Sequence, residues 1–594
     1  MQEACPSVSA RLPAKLPSSL DAAHHLFLQS EARRFIADSA ALSSLPAREL
    51  CKQRWLFYRG DENYGLGNVL YDVSSAAALA IAMNRTLIYG IDSDDRKFGT
   101  LLTWPSIPTM ADVDAMRQVA HCGGGSLASQ RRALLAPDRC TFHRVWRREK
   151  AGSLRCLKRL LGVNWLAERS PVLELSKVHA FTGLQTLLKS THPALRQRVA
   201  ALIGGCVPGG ERSNVHGALL SALMRPVPAV LHAVRWTLTT QQPFQVRAAR
   251  ELSHTELRRR GVTPPAMALH VRAMSDYRAK NLTATEQAEQ MSTALRCLVA
   301  GGELASARRA AAPEAAMART DAANGTAVFV ASSSPELRSQ LVRRIAQQPG
   351  LEPFVFEWRR YATKAPRSVV AALVASENAA AAFCAGVNAS ESFRCNRSAH
   401  LHDWGPEPHW VAVVELLLVA SVSQVVVGAG YPYFKVCNTF CQVGAALADA
   451  APPWLSELLQ PRARRRDAPG VAAPHAPMTA VANAHAVGDE RRPRGVRLVC
   501  ASYAYSTDWG SSMWRALNAT SRRGGDNIID CGQPTCVATP IHPELWVDLH
   551  APGGSCAADG DTMRTPYAVF GVPIKPLHAG KAKVRGSSGG IRNV

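Results

Sequence analysis

The chain has 594 residues, of which 47% are apolar and 19% charged, with a formal net charge of +23. That balance excludes an intrinsically disordered chain and allows a large buried core, divided among roughly three or four domains. Its 15 cysteines include no CxxC pair and no Cys/His set at zinc-finger spacing, which excludes the common structural zinc modules. The positive charge suits anionic partners such as nucleotides, nucleic acid, acidic glycans or membrane headgroups. Because it is spread along the chain, it is equally explained by a joint enrichment in Ala, Arg and Pro.

In chain order, residues 1–50 read as a flexible lead-in with some helical potential. Trp55–Tyr58 reads as a strand, followed by a Gly-rich loop and a helix from Val69 to Met83. Thr86–Gly90 is the next strand, so the chain begins as β–loop–α–β, the start of a parallel sheet. Residues 120–260 read as mostly helical, broken at Gly123–Gly125, Gly204–Gly210 and Pro226–Pro228. Residues 51–260 thus form an amino-terminal lobe.

A second α/β unit spans 261–450. Met267–Val271 is a strand and Ala284–Val299 a helix, with Thr283 and Glu286 as its capping box. Ala327–Val330 is a strand. Pro335–Gln347 is a helix capped by Ser333, with Glu336 completing a second box. Pro353–Phe356 is another strand. The run from Val411 to Gly430 is long and apolar, but Ser421 to Gln424 interrupt it and Val425–Val427 are β-branched. It reads as the buried helix His409–Ala420 followed by the strand Gln424–Gly428, not as a membrane span. His409 and Trp410 are expected to pack inside. Val436–Ala448 closes the unit as a helix. Residues 451–495, rich in Pro, Ala and Arg, read as a disordered linker, and 496–594 as a small appended module with a basic tail.

Cys384 and Cys395 are spaced for a local disulfide, as are Cys531 and Cys536. Six Asn-x-Ser/Thr sequons occur, at Asn84, Asn281, Asn324, Asn388, Asn396 and Asn518. Asn84 is expected at a helix end near the core, which argues against its use. The first 30 residues hold His and charge without a sustained apolar stretch, so no signal peptide is read there.

Two segments carry chemistry. Gly65-Leu66-Gly67-Asn68 lies between a strand and a helix, where free amides and the helix dipole favour an anion. A tight turn with no ligand fits the same residues. His270-Val271-Arg272 ends a strand, and Asp276 follows shortly after. Period-two alternation puts His270 and Arg272 on one face, and Arg272 falls at the carboxyl end of the strand, where open α/β sheets bind ligands. A guanidinium there can hold a diphosphate through two bonds at once, with Asp276 orienting it or binding a base or ribose. A buried His beside a surface Arg–Asp pair is the alternative.

Together, Gly65-Leu-Gly67-Asn68, the apolar helix ending in Asn84-Arg85-Thr86-Leu87, and His270-Val-Arg272 with Asp276 resemble the fucosyltransferase superfamily. So do the strand ending in Ser332-Ser333-Ser334 and the strand–loop–helix from Val425 to Ala445. The likeness is strongest to protein O-fucosyltransferases and covers residues 55–450. It implies a GT-B fold, meaning two Rossmann-like lobes with a cleft between them, here with a C-terminal extension. It implies GDP-fucose as donor, inversion at the anomeric carbon, no metal and no other cofactor. Arg272 would stabilise the charge growing on GDP. His270, Asp276, Ser333 and Phe434 would help bind the nucleotide, and Gly65, Gly67 and Asn68 would approach it from the other lobe. Asp61 or Glu62 would take the acceptor proton, although a solvated loop pair fits them as well.

Two positions depart from the family pattern. Tyr431-Pro432-Tyr433-Phe434 stands where relatives carry Ser-Ser-Phe, and Ser333 and Ser334 replace an expected Asp. Lys435 offers compensating charge. The expected function is therefore fucosyl transfer to a protein or glycan hydroxyl in the Golgi or endoplasmic reticulum lumen, with any membrane anchor not visible in this chain. The alternative is a relative that binds a nucleotide sugar or anionic glycan without turning it over. No RRM, KH or helix-turn-helix signature accompanies the charge, so a nucleic-acid partner is not expected.

Overall fold

The computed structural model describes residues 20–59, 66–89, 101–133 except 124, 162–176, 191–202, 215–243, 246 and 262–271. It further describes isolated positions from 288 to 302, then 325–375 except 333, 407–429, 439–460 and 496–500.

The first half opens with helices α1 (Leu20–Ala41) and α2 (Ala47–Lys52). Strand β1 (Trp55–Arg59) leads through α3 (Leu66–Met83) to β2 (Thr86–Tyr89). Next come β3 (Leu102–Thr103), α4 (Met110–Val119), β4 (Arg131–Ala133) and β5 (Val172–Ser176). Helix α5 (Pro193–Leu202), α6 (Val215–Leu223), β6 (Arg225–Pro226) and α7 (Pro228–Thr240) complete it. Four of these strands form a sheet in the order β2-β1-β5-β4, with every neighbouring pair parallel. Strands β3 and β6 form a separate antiparallel pair.

Helix α1 corrects the reading of residues 1–50 as a flexible lead-in. Leu28, Ala32, Phe35 and Ile36 lie on one stripe at helical spacing and are buried in the core of the first sheet. The segment 120–260 is likewise not helical throughout, because β4 and β5 fall within it and complete the sheet. Cys51 of α2 is bonded to Cys122, just past α4, with a Cα–Cα distance of 5.3 Å across 71 residues of sequence. The expected pairs Cys384–Cys395 and Cys531–Cys536 lie outside the described residues.

The second half begins with β7 (Met267–Val271), β8 (Thr326–Ser332), α8 (Pro335–Ile345), β9 (Leu351–Phe354) and α9 (Trp358–Lys364). It continues with α10 (His409–Ala420), β10 (Val425–Ala429), α11 (Thr439–Ala450), α12 (Pro453–Leu459) and β11 (Arg497–Cys500). Its five strands are all parallel, in the order β11-β10-β7-β8-β9. All residues of β7 and β8 are buried, as expected for parallel strands covered on both faces.

The apolar run that was read as helix then strand folds as α10 and β10, and every residue of α10 is buried. Among the described residues, no helix is long and apolar enough to cross a membrane. Two boundaries differ from expectation. The linker assigned to 451–495 begins with α12, which starts on Pro453 and buries Trp454, Leu455 and Leu458. The module expected from 496 begins with β11, which is the edge strand of the second sheet. Val496 donates its amide to Asp449 Oδ1 of α11 (3.0 Å), fixing where that strand starts.

The two sheets share a helical layer. Leu66, Leu70 and Tyr71 at the start of α3 belong to the apolar cluster that contains Phe329 and Phe440 of the second sheet's half. Residues from Val73 to Met83 of the same helix belong to the cluster of the first sheet, with Leu56, Leu87 and Leu173. Helix α11 packs on α3, α6 and α10. Its approach to α6 is close enough that a Cβ on Gly217 would lie 2.3 Å from the Ala446 carbonyl oxygen. A Cβ on Gly444 would lie 2.5 Å from Val419 Cγ1 of α10. Glycine is required at Gly217 by close backbone approach and at Gly444 by the packed Val419 side chain, and at neither by backbone angle.

Two sets of polar groups buried among these helices are paired. Ser74 of α3 gives its hydroxyl proton to the Tyr71 carbonyl (2.9 Å), so Nδ1–H of His216 donates to Ser74 Oγ (2.9 Å). The His216 ring meets Tyr71 edge-on at 4.9 Å. Burial pulls the His216 imidazole down to about 3, leaving it neutral. Further along, Arg338 of α8 donates to Glu415 of α10 at 2.6 Å and also bonds Glu407. Burial pushes the Glu415 carboxyl up, against the pull of Arg338.

Candidate functional site

The strand order of the second sheet locates its ligand edge. Taken in sequence, β7, β8, β9, β10 and β11 are strands one to five, and their spatial order is five, four, one, two, three. This is the doubly wound arrangement, in which the chain reverses direction between strands one and four. Crossover helices leave those two strands on opposite sides of the sheet, opening a crevice at their carboxyl ends. Here the reversal falls between β7 and β10.

His270 lies at that point. It pairs in register with Gly428 of β10 and Ala331 of β8, one residue before β7 ends. The side chain is only 3% exposed. Its ring stacks on Phe440, with centroids 4.6 Å apart and planes 26° from parallel. Its Nδ1 lies 3.3 Å from Sγ of Cys441, a buried thiol. Phe440 and Cys441 sit in the first turn of α11, the helix that follows β10. A strand end from one side of the reversal is therefore held to a helix start from the other by a ring stack and a polar contact. The first-turn amides of α11 have no intrahelical partners and carry the positive end of the helix dipole, so an anion is favoured beside them.

The next strand ends similarly. Ser332 is buried at the end of β8, and its hydroxyl accepts from the Ser334 amide at 3.3 Å. Ser334 caps α8: its Oγ accepts from Leu337 N at 3.2 Å and donates to Glu336 at 2.9 Å. The cap was expected at Ser333. The structure moves it one residue on, because Ser334 is the one with extended backbone just before the helix.

At the first sheet, the Gly loop is shorter than expected. Helix α3 starts at Leu66, so Gly67 and Asn68 are its second and third residues rather than part of a loop. The Asn84-Arg85-Thr86-Leu87 segment is a structural joint. Asn84 has φ of 53° and ends α3: its amide donates to Ile81 O (3.2 Å), and that of Arg85 donates to Ala80 O (2.9 Å). The buried Arg85 guanidinium donates to the carbonyls of Glu168 (2.7 Å), Ser170 (2.9 Å) and Trp55 (3.3 Å). Burial, with Arg54 close by, brings it down to about 10, which still leaves it charged at neutral pH.

Of the residues singled out from sequence, Gly67 and His270 are thus placed, and Asn68 is placed as a helical position. Asp61, Glu62, Gly65, Arg272, Asp276, Ser333 and Phe434 lie outside the described residues. The structure brings the first turns of α3 and α11 into one apolar cluster. Sequence reasoning missed Phe440 and Cys441. The available signal was a thiol in the first turn of the helix after the last strand of an α/β unit. Among the described residues, no three His, Cys, Asp or Glu side chains are grouped as metal ligands would be.

A family of unknown function, DUF7810, matches residues 24–263 and 288–457. The chain belongs to this family. The two matched blocks of DUF7810 run from α1 to α12 and leave out β7, with His270, between them. No curated protein matches the chain significantly. A solved structure of a mutant of Arabidopsis thaliana FUT1 in complex with GDP is 13% identical, at a TM-score of 0.35. That match covers 74% of this chain and 79% of that one, a likeness too distant to carry fold or function across.

Proposed function

We propose that this chain is a nucleotide-sugar glycosyltransferase of the GT-B kind that binds its donor at the carboxyl edge of the second sheet. The observation that carries the reading is the reversal between β7 and β10, with His270 held there by Phe440 and Cys441. Arg272 follows two residues later. The fucosyltransferase resemblance of the His270–Asp276 segment supplies the finer reading, with GDP-fucose as donor and fucose passed to a protein or glycan hydroxyl.

In that reaction the acceptor oxygen bonds to the anomeric carbon as the bond from that carbon to the β-phosphate oxygen breaks. The electron pair stays on GDP, and Arg272 stabilises it through its fixed positive charge. Asp61 or Glu62 takes the acceptor proton. His270 fixes the end of β7, two residues before Arg272 in sequence. Asp276, Ser333 and Phe434 complete the nucleotide site, and the amides at Gly67 and Asn68 face the phosphates from α3. A secretory-pathway lumen fits the Cys51–Cys122 bond, since such bridges persist in oxidising compartments.

A second reading is favoured by one feature. Tyr431-Pro432-Tyr433-Phe434 lacks the paired serines of the family pattern, which points to donor binding without turnover. Calorimetric titration with GDP, GDP-fucose, UDP and GMP tests the proposal. Selective binding of GDP and GDP-fucose is expected, and is lost in Arg272→Ala while the folded state is kept. Indifference among the four ligands overturns the donor assignment. Binding without fucose release to water or acceptor selects the second reading.

A further inference from the structure

We infer that Asn84 carries an N-linked glycan, added in the lumen of the secretory pathway. Three independent observations converge on it. The first is the sequon Asn84-Arg85-Thr86 itself. The second is placement. Asn84 is the single exposed residue between the buried end of α3 and the buried start of β2, and its side-chain amide has no hydrogen-bond partner among the described residues. Asn84 lies at the helix end beside the core, as expected, but it is itself exposed. Its neighbours are buried, but the backbone turn at φ 53° throws the Asn84 side chain outward. The third is the Cys51–Cys122 bond, which is favoured in an oxidising compartment, the kind in which sequons are modified.

The folded surroundings accept such an addition. Everything that holds the turn together uses the backbone of Asn84 or the side chains on either side of it. Its amide N–H closes the helix end, and its carbonyl accepts from Arg54 (3.4 Å). Arg85 points inward to three carbonyls, and Thr86 Oγ1 accepts from Gln53 Nε2 at 2.6 Å. The Asn84 side-chain nitrogen alone has no structural task, so replacing one of its hydrogens by a sugar breaks no contact. The sequon is modified on the extended chain before these contacts form, so the later burial of Thr86 is no obstacle.

Position adds a consequence. Helix α3 spans 18 residues and hence about 27 Å. Gly67 is at one end, with the carboxyl ends of the strands, and Asn84 is at the other, at the amino end of β2. A glycan at Asn84 therefore stands at the far end of α3 from the first turn assigned to the donor.

The test is mass spectrometry on the full chain isolated from its own cells. The protein is treated with peptide N-glycosidase in heavy-oxygen water, and the peptide ending at Arg85 is read for conversion of Asn84 to labelled aspartate. Labelled aspartate at Asn84 in most of the protein is the expected result, together with an oxidised Cys51–Cys122 pair. Two results overturn the inference: an unmodified Asn84 in protein whose disulfide is formed, or reduced Cys51 and Cys122 throughout. The control variant is Asn84→Gly, which removes the acceptor yet suits the left-handed turn. It should lose the glycan while keeping thermal stability and nucleotide titration unchanged, whereas Asn84→Gln loses the glycan and strains the turn. Asn84→Gly protein that still shows the same glycosidase-sensitive mobility shift as wild type also overturns the assignment.

Discussion

The two sheets are built alike and use buried arginines differently. In the first, the terminal nitrogens of Arg85 at the helix-to-strand joint donate to three backbone carbonyls, so its charge is spread over neutral dipoles. In the second, Arg338 faces two carboxylates, Glu407 and Glu415, in a nearly dry setting. The first arrangement pins chain segments 30 to 85 residues apart through one cation shared among carbonyl dipoles. The second commits three ionisable groups to one another, so removal of the arginine leaves two carboxyl groups without their shared cation. A motif arginine and a non-motif arginine are thus both structural.

The contrast is broken most strongly at Arg338. Arg338→Ala strands two buried carboxylates and is expected to cost about 3–5 kcal/mol in urea denaturation. Replacing Arg338, Glu407 and Glu415 together by apolar residues of similar volume should recover most of that loss. A smaller effect is expected at the first sheet. Arg85→Lys keeps the charge but cannot reach three carbonyls at once, and should cost about 2 kcal/mol by the same measurement. If both variants cost the same, the two arginines are equivalent and the comparison fails.

The smallest effect is a slope. His216 has its folded value pulled to about 3, below the ordinary 6.5, so the unfolded chain binds a proton that the folded chain refuses. Stability from this group is therefore full above about pH 6.5 and falls as pH drops toward 3, by up to about 1.4 kcal/mol per unit. Denaturation followed from pH 7 to pH 4 should show the fall, and His216→Gln should flatten it. An unchanged slope in the variant would assign the acid sensitivity elsewhere.

What could be read in advance follows from how local each signal is. The break at Ser421–Gln424 and the β-branched Val425–Val427 are local, so α10 and β10 were legible. Helix α1 was legible in principle, since Leu28, Ala32, Phe35 and Ile36 repeat with helical spacing, but His24, His25 and Arg33 to Arg34 diluted the stripe. The Ser334 cap was missed by one residue because adjacent serines compete for the same role in sequence. The bridge from Cys51 to Cys122 crosses 71 residues, and β11 joins its sheet from beyond a Pro- and Arg-rich stretch. Neither leaves a local mark. The His270 contact is of the same kind, because Cys441 is 171 residues away and strand order alone brings the two together.

The close packing at Gly217 and Gly444 has a consequence for how the molecule comes apart. Helix α11 is wedged against α6 on one side and α10 on the other, with no room for a methyl group at either crossing. It belongs to the second sheet by connectivity and serves the first by contact. Loss of either sheet would strip one face of this helix and expose the apolar cluster behind it. The described sheets therefore share one cooperative fate, and a partly unfolded form that keeps one and loses the other is the costly state.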